Sequence, residues 1–315
     1  MKRIRATLAV TAAALFTGLS SHEAGAQRTR GSFGSDLRSS IDTTIAFDRN
    51  GTVTLIAPTG DIVVTGSTNG QLHVRASGDN ENIRFEASAS RMTLEVGGSH
   101  RGGDTKFEVS VPQGVRVLAR AQSGDISIRG TRGEVEANSY SGDIVVEDVT
   151  SRLTVNSLSG SITAANIVGD LEVVSTSGDV KINDLRGIAD VTTVSGDIDL
   201  RGLTSKEVRA KTTSGDVTFD GLVDPQGRYE FGAHSGDIRL HVQRDASAQL
   251  SVSTWNGGID SQFPITLKPG AHGIGAATSK RFTFDIGAGS ARISAETFSG
   301  DITVSSNGHG ASERR

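Results

Sequence analysis

Six aspartates occupy the same place in a recurring tripeptide: Asp125, Asp143, Asp179, Asp197, Asp216 and Asp237 each follow the glycine of a Ser-Gly-Asp. If the repeats stack, these carboxylates form a column, and like charges on adjacent strands repel. Two chemistries relieve the repulsion. Each carboxylate can accept hydrogen bonds from nearby backbone N–H groups, or the column can gather a hard cation such as calcium, which takes six to eight oxygen ligands. Calcium-binding nonapeptide solenoids carry Gly-Gly-x-Gly-x-Asp, whose additional glycines expose further carbonyl ligands. Those glycines are missing here and Ser161 interrupts the column. The structural role is the main expectation, and calcium is the only cofactor the residues leave open.

Other chemistry is sparse. His73, His100, His234, His241 and His272 show no metal-ligand spacing. There is no Gly-x-Ser-x-Gly elbow, and no phosphate-cradling glycine loop leads into a helix. Carboxylate pairs recur because Asp recurs, so their spacing carries no glycosidase signature. Carbohydrate-cleaving β-helices wall their clefts with long loops between coils, and the segment from Gly124 to Gly215 has almost none. The expectation is a protein with no catalytic residues.

The remaining composition fixes the setting. Lys2, Arg3 and Arg5 precede an apolar run from Leu8 to Leu19, followed by Ala24-Gly25-Ala26. That order predicts a secretory signal peptide over residues 1–26. The run is too short for a membrane span, and no later segment approaches the length. Net charge is −4 with both signs interspersed, which gives no basic footprint for nucleic acid. The chain has no cysteine, so in an oxidising compartment it must hold together by packing. It carries 39 glycines in 315 residues, well above the usual ~7%, with many Val, Ile, Thr and Ser, a composition of short strands and tight turns.

The elements that position the aspartates emerge from the repeat. The tripeptide glycines Gly124, Gly142, Gly160, Gly178 and Gly196 are eighteen residues apart. Gly215, Gly236 and Gly257 follow at nineteen, twenty-one and twenty-one, and Gly300 lies forty-three further on. That last interval leaves room for one degenerate coil, and Gly60 is an outlying match. Seven and five residues before each glycine the residue is apolar or Ala, as in Val135 and Ala137 or Leu153 and Val155. Three before it is small. Two and four after it is apolar, as in Ile144 and Val146, with Ser261 a polar exception. Seven after, Val149, Ile167, Leu185, Leu203 and Leu222 complete the inward set. The period of two marks strands with one buried face, bent at a turn where glycine (Gly124, Gly142, Gly160, Gly178, Gly196, Gly215, Gly236, Gly300) supplies positive φ.

Eighteen residues cannot bury such a face alone, so stability requires neighbours. An antiparallel meander would not place like upon like. The fixed register predicts an all-β parallel β-solenoid, right-handed and β-helix-like, with about 18–21 residues per coil. Residues 27–40 read as a flexible lead-in. The solenoid is expected over 41–306, with 41–112 an irregular N-terminal set of coils acting as a cap, 113–306 regular and 307–315 a polar tail. The stretch from Phe263 onward is a candidate second cap.

Two residues before the glycine, an outward position carries Tyr140, Leu158, Val194, Trp255 and Phe298 among smaller or polar residues. Exposed apolar groups in a row mark contact surfaces, and they also suit the β-propensity of a half-exposed sheet or cover by a loop such as Phe263 to Thr283. Both readings stand at this point.

The iterated Ser-Gly-Asp-Ile-x-Val, the opening Thr59-Gly60-Asp61-Ile62-Val63-Val64, the step Val111-Pro112-Gln113-Gly114 and the closing Ser299-Gly300-Asp301-Ile302-Thr303-Val304 together resemble the bacterial putative-adhesin domain family, over residues 41–305. The resemblance implies a right-handed β-solenoid in the periplasm or at the cell surface, a non-catalytic adhesin-like or scaffold role, and a cell-envelope or surface component, protein or glycan, as partner. Envelope-stress accessory and carbohydrate-active enzyme are the alternative roles.

Overall fold

A period-two pattern compels strands that hide one face, and strands are what the chain forms. The computed structural model describes residues 37–38, 40–78, 82–97, 105–263, 266–267 and 280–306. The signal-peptide segment, residues 27–36 and the 307–315 tail lie outside the described residues.

Coils, named here by their turn glycine, stack mainly in parallel to give a solenoid-like sheet. Strand Val135–Ser141 lies between Arg116–Ser123 and Leu153–Ser159, with Val135 opposite both Val117 and Leu153. Beyond the turn, Ile144 faces Ile126 and Ile162. One eighteen-residue step therefore equals one level of the stack, and identical positions superpose.

Stacking like upon like gives a continuous apolar interior. In the Gly142 coil Val135, Ala137, Ile144, Val146 and Val149 are fully buried. Burying each Val or Ile stabilises the fold by roughly 1.5–3 kcal/mol relative to exposure. The small position three before the glycine is often a buried hydroxyl, which would be costly without a partner. Thr212, Thr254 and Thr297 donate to the carbonyls of Gly196, Gly300 and Gly236 at 3.2, 3.0 and 3.0 Å.

A further corner column runs six residues after the turn glycine: Gly130, Asp148, Asn166, Asp184 and Gly202 all adopt φ between 56° and 71°. Asx residues tolerate this left-handed region because their short side chains bond locally. Asn166 donates its side-chain N–H to Asp148 Oδ1 at 3.1 Å, joining two levels of the column.

Leu222 departs from the expected inward set. Leu203 pairs with Gly221, not with Leu222, because the register shifts after Arg201. Leu222 is consequently 52% exposed, while Val149, Ile167, Leu185 and Leu203 are buried as expected. The physical reason is Phe219, larger than its stacked equivalents: its ring would lie 2.8 Å from any Cβ at position 221, so the inward site there is left to glycine. Phe219 also packs on Phe231 and Tyr229, with ring centroids 5.1 and 5.8 Å apart.

Both ends depart from sequence order. The Gly60 coil (Thr52–Thr59 and Asp61–Ser67) is an integral level: it lies between the Gly124 coil and a level built from Arg91–Gly97 and Thr105–Pro112. Strands Asn82–Ala87 and Gln71–Gly78 then add antiparallel to that level, and Leu37–Arg38 and Ser40–Ala46 add antiparallel to them. At the other end, where a degenerate coil was expected between the Gly257 and Gly300 coils, the described residues give only antiparallel pairing, of Thr266–Leu267 with Lys280–Ile286. The Gly300 coil (Ala291–Ser299 and Ile302–Ser306) instead lies between the Gly236 and Gly257 coils, parallel to both. Lys280–Ile286 pairs antiparallel with Ala248–Asn256 outside it. Antiparallel pairing at each end breaks the like-on-like repeat and hinders further copies from adding in register.

Candidate functional site

The turn column solves its charge problem internally. Oδ1 of Asp125 accepts the N–H of Asp143 at 2.8 Å, Oδ1 of Asp143 accepts that of Ser161 at 2.8 Å, and Oδ1 of Asp179 accepts that of Asp197 at 3.1 Å. Asp197 continues to Asp216, Asp216 to Asp237 and Asp237 to Asp301, each at 2.8 Å. Asp61 serves Asp125 in the same way, and Asp301 serves Gly258. Ser161 receives the ladder but brings no carboxylate to extend it. In the opposite direction the turn glycine donates to the next level, as Gly178 N–H does to Ser195 C=O at 3.0 Å. Each level is thus stitched to the next by reciprocal bonds, and one oxygen of each of these carboxylates is committed to backbone.

Arg239 adds a fixed cation to this column. Its guanidinium bonds Asp216 at 2.7 Å and Asp237 at 2.8 Å, filling by side chain the place a cation would take between those carboxylates. Burial raises the Asp216 carboxyl, but Arg239 and the Asp237 N–H outweigh it and hold it below its ordinary value. Among the described residues no three His, Cys, Asp or Glu side chains come together as a metal cluster.

On the outward stripe Tyr140, Leu158, Val194, Trp255 and Phe298 are all exposed, between 39% and 59%. Insertion of the Gly300 coil reorders its far end, so that Phe298 sits between His234 and Trp255. Their rings stack nearly parallel, with centroids 4.9 Å apart for His234–Phe298 and 5.8 Å for Phe298–Trp255. Trp255 and Phe298 also wall a surface groove of about 530 Å³ whose floor includes Gly232. The position four before the turn glycine bears a side chain in every other regular coil, from Arg120 and Asn138 to Ser253 and Glu296, and Gly232 leaves a gap in that row. Lys211, Glu230, Arg281 and Glu296 rim it.

The family model for Toastrack DUF4097 matches residues 43–305. The chain belongs to that family. Toastrack DUF4097 is a domain of unknown function with a β-solenoid-like fold. Two solved structures are similar to this Toastrack chain. One is a putative adhesin from Bacteroides fragilis, 14% identical with a TM-score of 0.37, covering 85% of this chain and 98% of its own. The other is a putative cell adhesion protein from Clostridium sporogenes, 9% identical with a TM-score of 0.20, covering 85% of this chain and 100% of its own. No curated protein is significantly similar to the chain.

Displaced protonation in the Toastrack chain belongs largely to surface ion pairs. Lys211 lowers the Glu230 carboxyl through a 2.6 Å contact, against a smaller upward push from burial. Lys106 lowers Glu108 likewise, and His73 with Arg75 lowers Asp42. The buried phenol is Tyr229, raised by burial; it donates to Ser205 C=O at 2.6 Å and accepts from Asp224 N–H at 2.8 Å. Among the described residues no helix is long and apolar enough to cross a membrane.

Sequence reasoning located the stripe but not its closing aromatic stack or the groove beside it. Contact between His234, Phe298 and Trp255 depends on the order of levels, which spacing does not encode. The lone glycine at position 232 in a row of side chains was the available signal.

Proposed function

We propose that this protein is an exported, non-catalytic, adhesin-like binding module of the bacterial cell envelope or surface, presenting Tyr140, Leu158, Val194, Trp255 and Phe298 along one rigid sheet face. The observation that carries this reading is the stripe itself: five large apolar side chains held exposed on a stitched, in-register sheet. Such groups suit a half-exposed strand singly, whereas large apolar groups recurring along one face are what contact surfaces display. The charged N-terminus followed by Leu8–Leu19 and Ala24-Gly25-Ala26 supports export with cleavage after Ala26. A right-handed wind is the hand expected of parallel strands joined by crossovers. The non-catalytic part rests on the placement of displaced carboxyls in exposed ion pairs on sheet faces, where no water-excluding wall surrounds them.

The test compares the mature chain with a Tyr140→Ser, Leu158→Ser, Val194→Ser variant for retention on intact bacterial cells and for oligomer size. Loss of retention or of self-association in a variant with an unchanged melting temperature supports the reading. Retention and size both unchanged would reduce the stripe to ordinary sheet surface.

A further inference from the structure

We propose that the groove over Gly232 is an oligosaccharide-binding site for neutral glycans, with Trp255 and Phe298 as its apolar wall and Lys211, Glu230, Arg281 and Glu296 as its hydrogen-bonding rim. This rests on the surface-binding reading and gives it a ligand class and a place.

The charge of the rim selects against polyanions. Lys211 lies 2.6 Å from Glu230 and Arg281 lies 3.6 Å from Glu296, so each rim cation is matched by a carboxylate. Nucleic acid and sulfated polymers are held by unmatched cations. An extended peptide added to a sheet needs a free backbone edge, and here Ala248–Asn256 and Ala291–Ser299, which carry the aromatic wall, are each hydrogen-bonded on both sides within the sheet. An acyl chain needs an apolar enclosure, which four charged side chains deny it. A sugar ring has the remaining combination, an apolar C–H face beside a rim of hydroxyls that both donate and accept. The groove offers an aromatic wall opposite ammonium, guanidinium and carboxylate groups within about 530 Å³, inside the ~300–1,000 Å³ range of small-ligand clefts. The ring stack ends at Trp255, with no further ring beyond it among the described residues.

Gly232 makes the site testable without disturbing the fold. A Cβ there would meet only Lys211 Cγ at 3.5 Å, an ordinary contact, and the backbone there is not in the left-handed region. Gly232→Gln should fill the groove as the side chains of neighbouring levels fill theirs. The assay is binding of the mature protein to an array of neutral gluco-, manno-, xylo- and chito-oligosaccharides, with heparin as the polyanion arm, followed by titration calorimetry on the best neutral binder. We expect at least one neutral oligomer to bind better than heparin, and Gly232→Gln and Trp255→Ala each to weaken it by about tenfold or more, a change of 1.4 kcal/mol, with unchanged melting temperature. The Tyr140→Ser, Leu158→Ser, Val194→Ser variant should still bind that glycan. No binding to any neutral oligomer, preference for heparin, or full binding by Gly232→Gln overturns the site. Should cells still be retained through Tyr140, Leu158 and Val194 in that case, the surface-binding reading survives its loss.

Discussion

Replacing Gly178 with alanine tests the stacking at its tightest point. Gly178 has φ 118°, and a Cβ there would stand 2.2 Å from the carbonyl oxygen of Gly160 in the level beneath. Backbone in that region costs a side chain about 1–3 kcal/mol. The clash adds an overpacking cost of about 1–3 kcal/mol, because neither level is free to yield. Gly178 N–H is tied to Ser195, and Leu171–Ser177 pairs in register on both sides. The expected loss is therefore about 2–6 kcal/mol, a large share of the ~5–15 kcal/mol of an ordinary domain. In a stack held by nearest-neighbour contacts the damage divides the column at that interface, so the urea slope should fall as unfolding splits into two steps. Urea titration followed by far-ultraviolet circular dichroism measures both quantities. Gly232→Ala, whose Cβ makes only an ordinary 3.5 Å contact with the Lys211 side chain and needs no positive φ, is the control and should stay within about 0.5 kcal/mol of the parent. A Gly178→Ala protein as stable as that control would refute the argument from close approach.

The carboxylate ladder predicts that Asp197→Ala costs about 1.5–3 kcal/mol, since Asp216 N–H loses a charged acceptor. Asp197→Asn should recover part of this in the same urea assay. Leu203→Ala should cost about 2–5 kcal/mol and Leu222→Ala under about 0.5 kcal/mol, which checks the register shift directly. Asp216 has its carboxyl held below the ordinary value, so its contribution is present above the unfolded pKa of ~3.9 and lost as pH falls through the lower folded value. Melting temperatures measured from pH 5 downward should accordingly fall less steeply in Asp216→Asn than in the parent. Chelator should leave the parent's melting temperature unchanged, because Asp125, Asp143, Asp179, Asp197, Asp216 and Asp237 each accept a backbone N–H; a drop would restore calcium to the column.

The interior was legible because inward positions alternate strictly and recur at a fixed interval. Val135, Ala137, Ile144 and Val146 could be placed from spacing alone, and the core follows the same rule even at the Gly60 coil, where Val53, Leu55, Ala57, Ile62 and Val64 are buried. The order of levels was not legible. Since equivalent residues stack on equivalent residues, the Gly300 coil fits against the Gly236 coil as well as the Gly257 coil does, and only the path of the connecting chain decides. Leu222 was misplaced because a single large ring, Phe219, changes the register locally, a volume effect invisible to periodicity. The corner at Asp148, Asn166 and Asp184 was written in the sequence as Gly or Asx six residues after each turn glycine from Gly124 to Gly196, but Asx side chains also look like ordinary surface polarity. The groove was hidden for the same reason as the order of levels: Trp255 and Phe298 are forty-three residues apart and meet only because the coil bearing Phe298 inserts beside the Gly257 coil.

That insertion governs when the molecule becomes whole. With Ala291–Ser306 missing, the Gly236 and Gly257 coils cannot close on each other without sliding a full strand spacing, so an unfinished chain holds two facing rows of unused N–H and C=O groups. A segment made after both of the coils it joins is the keystone, and a chain lacking it is left with an open slot inside the stack where a simple loss of one end level would otherwise be expected.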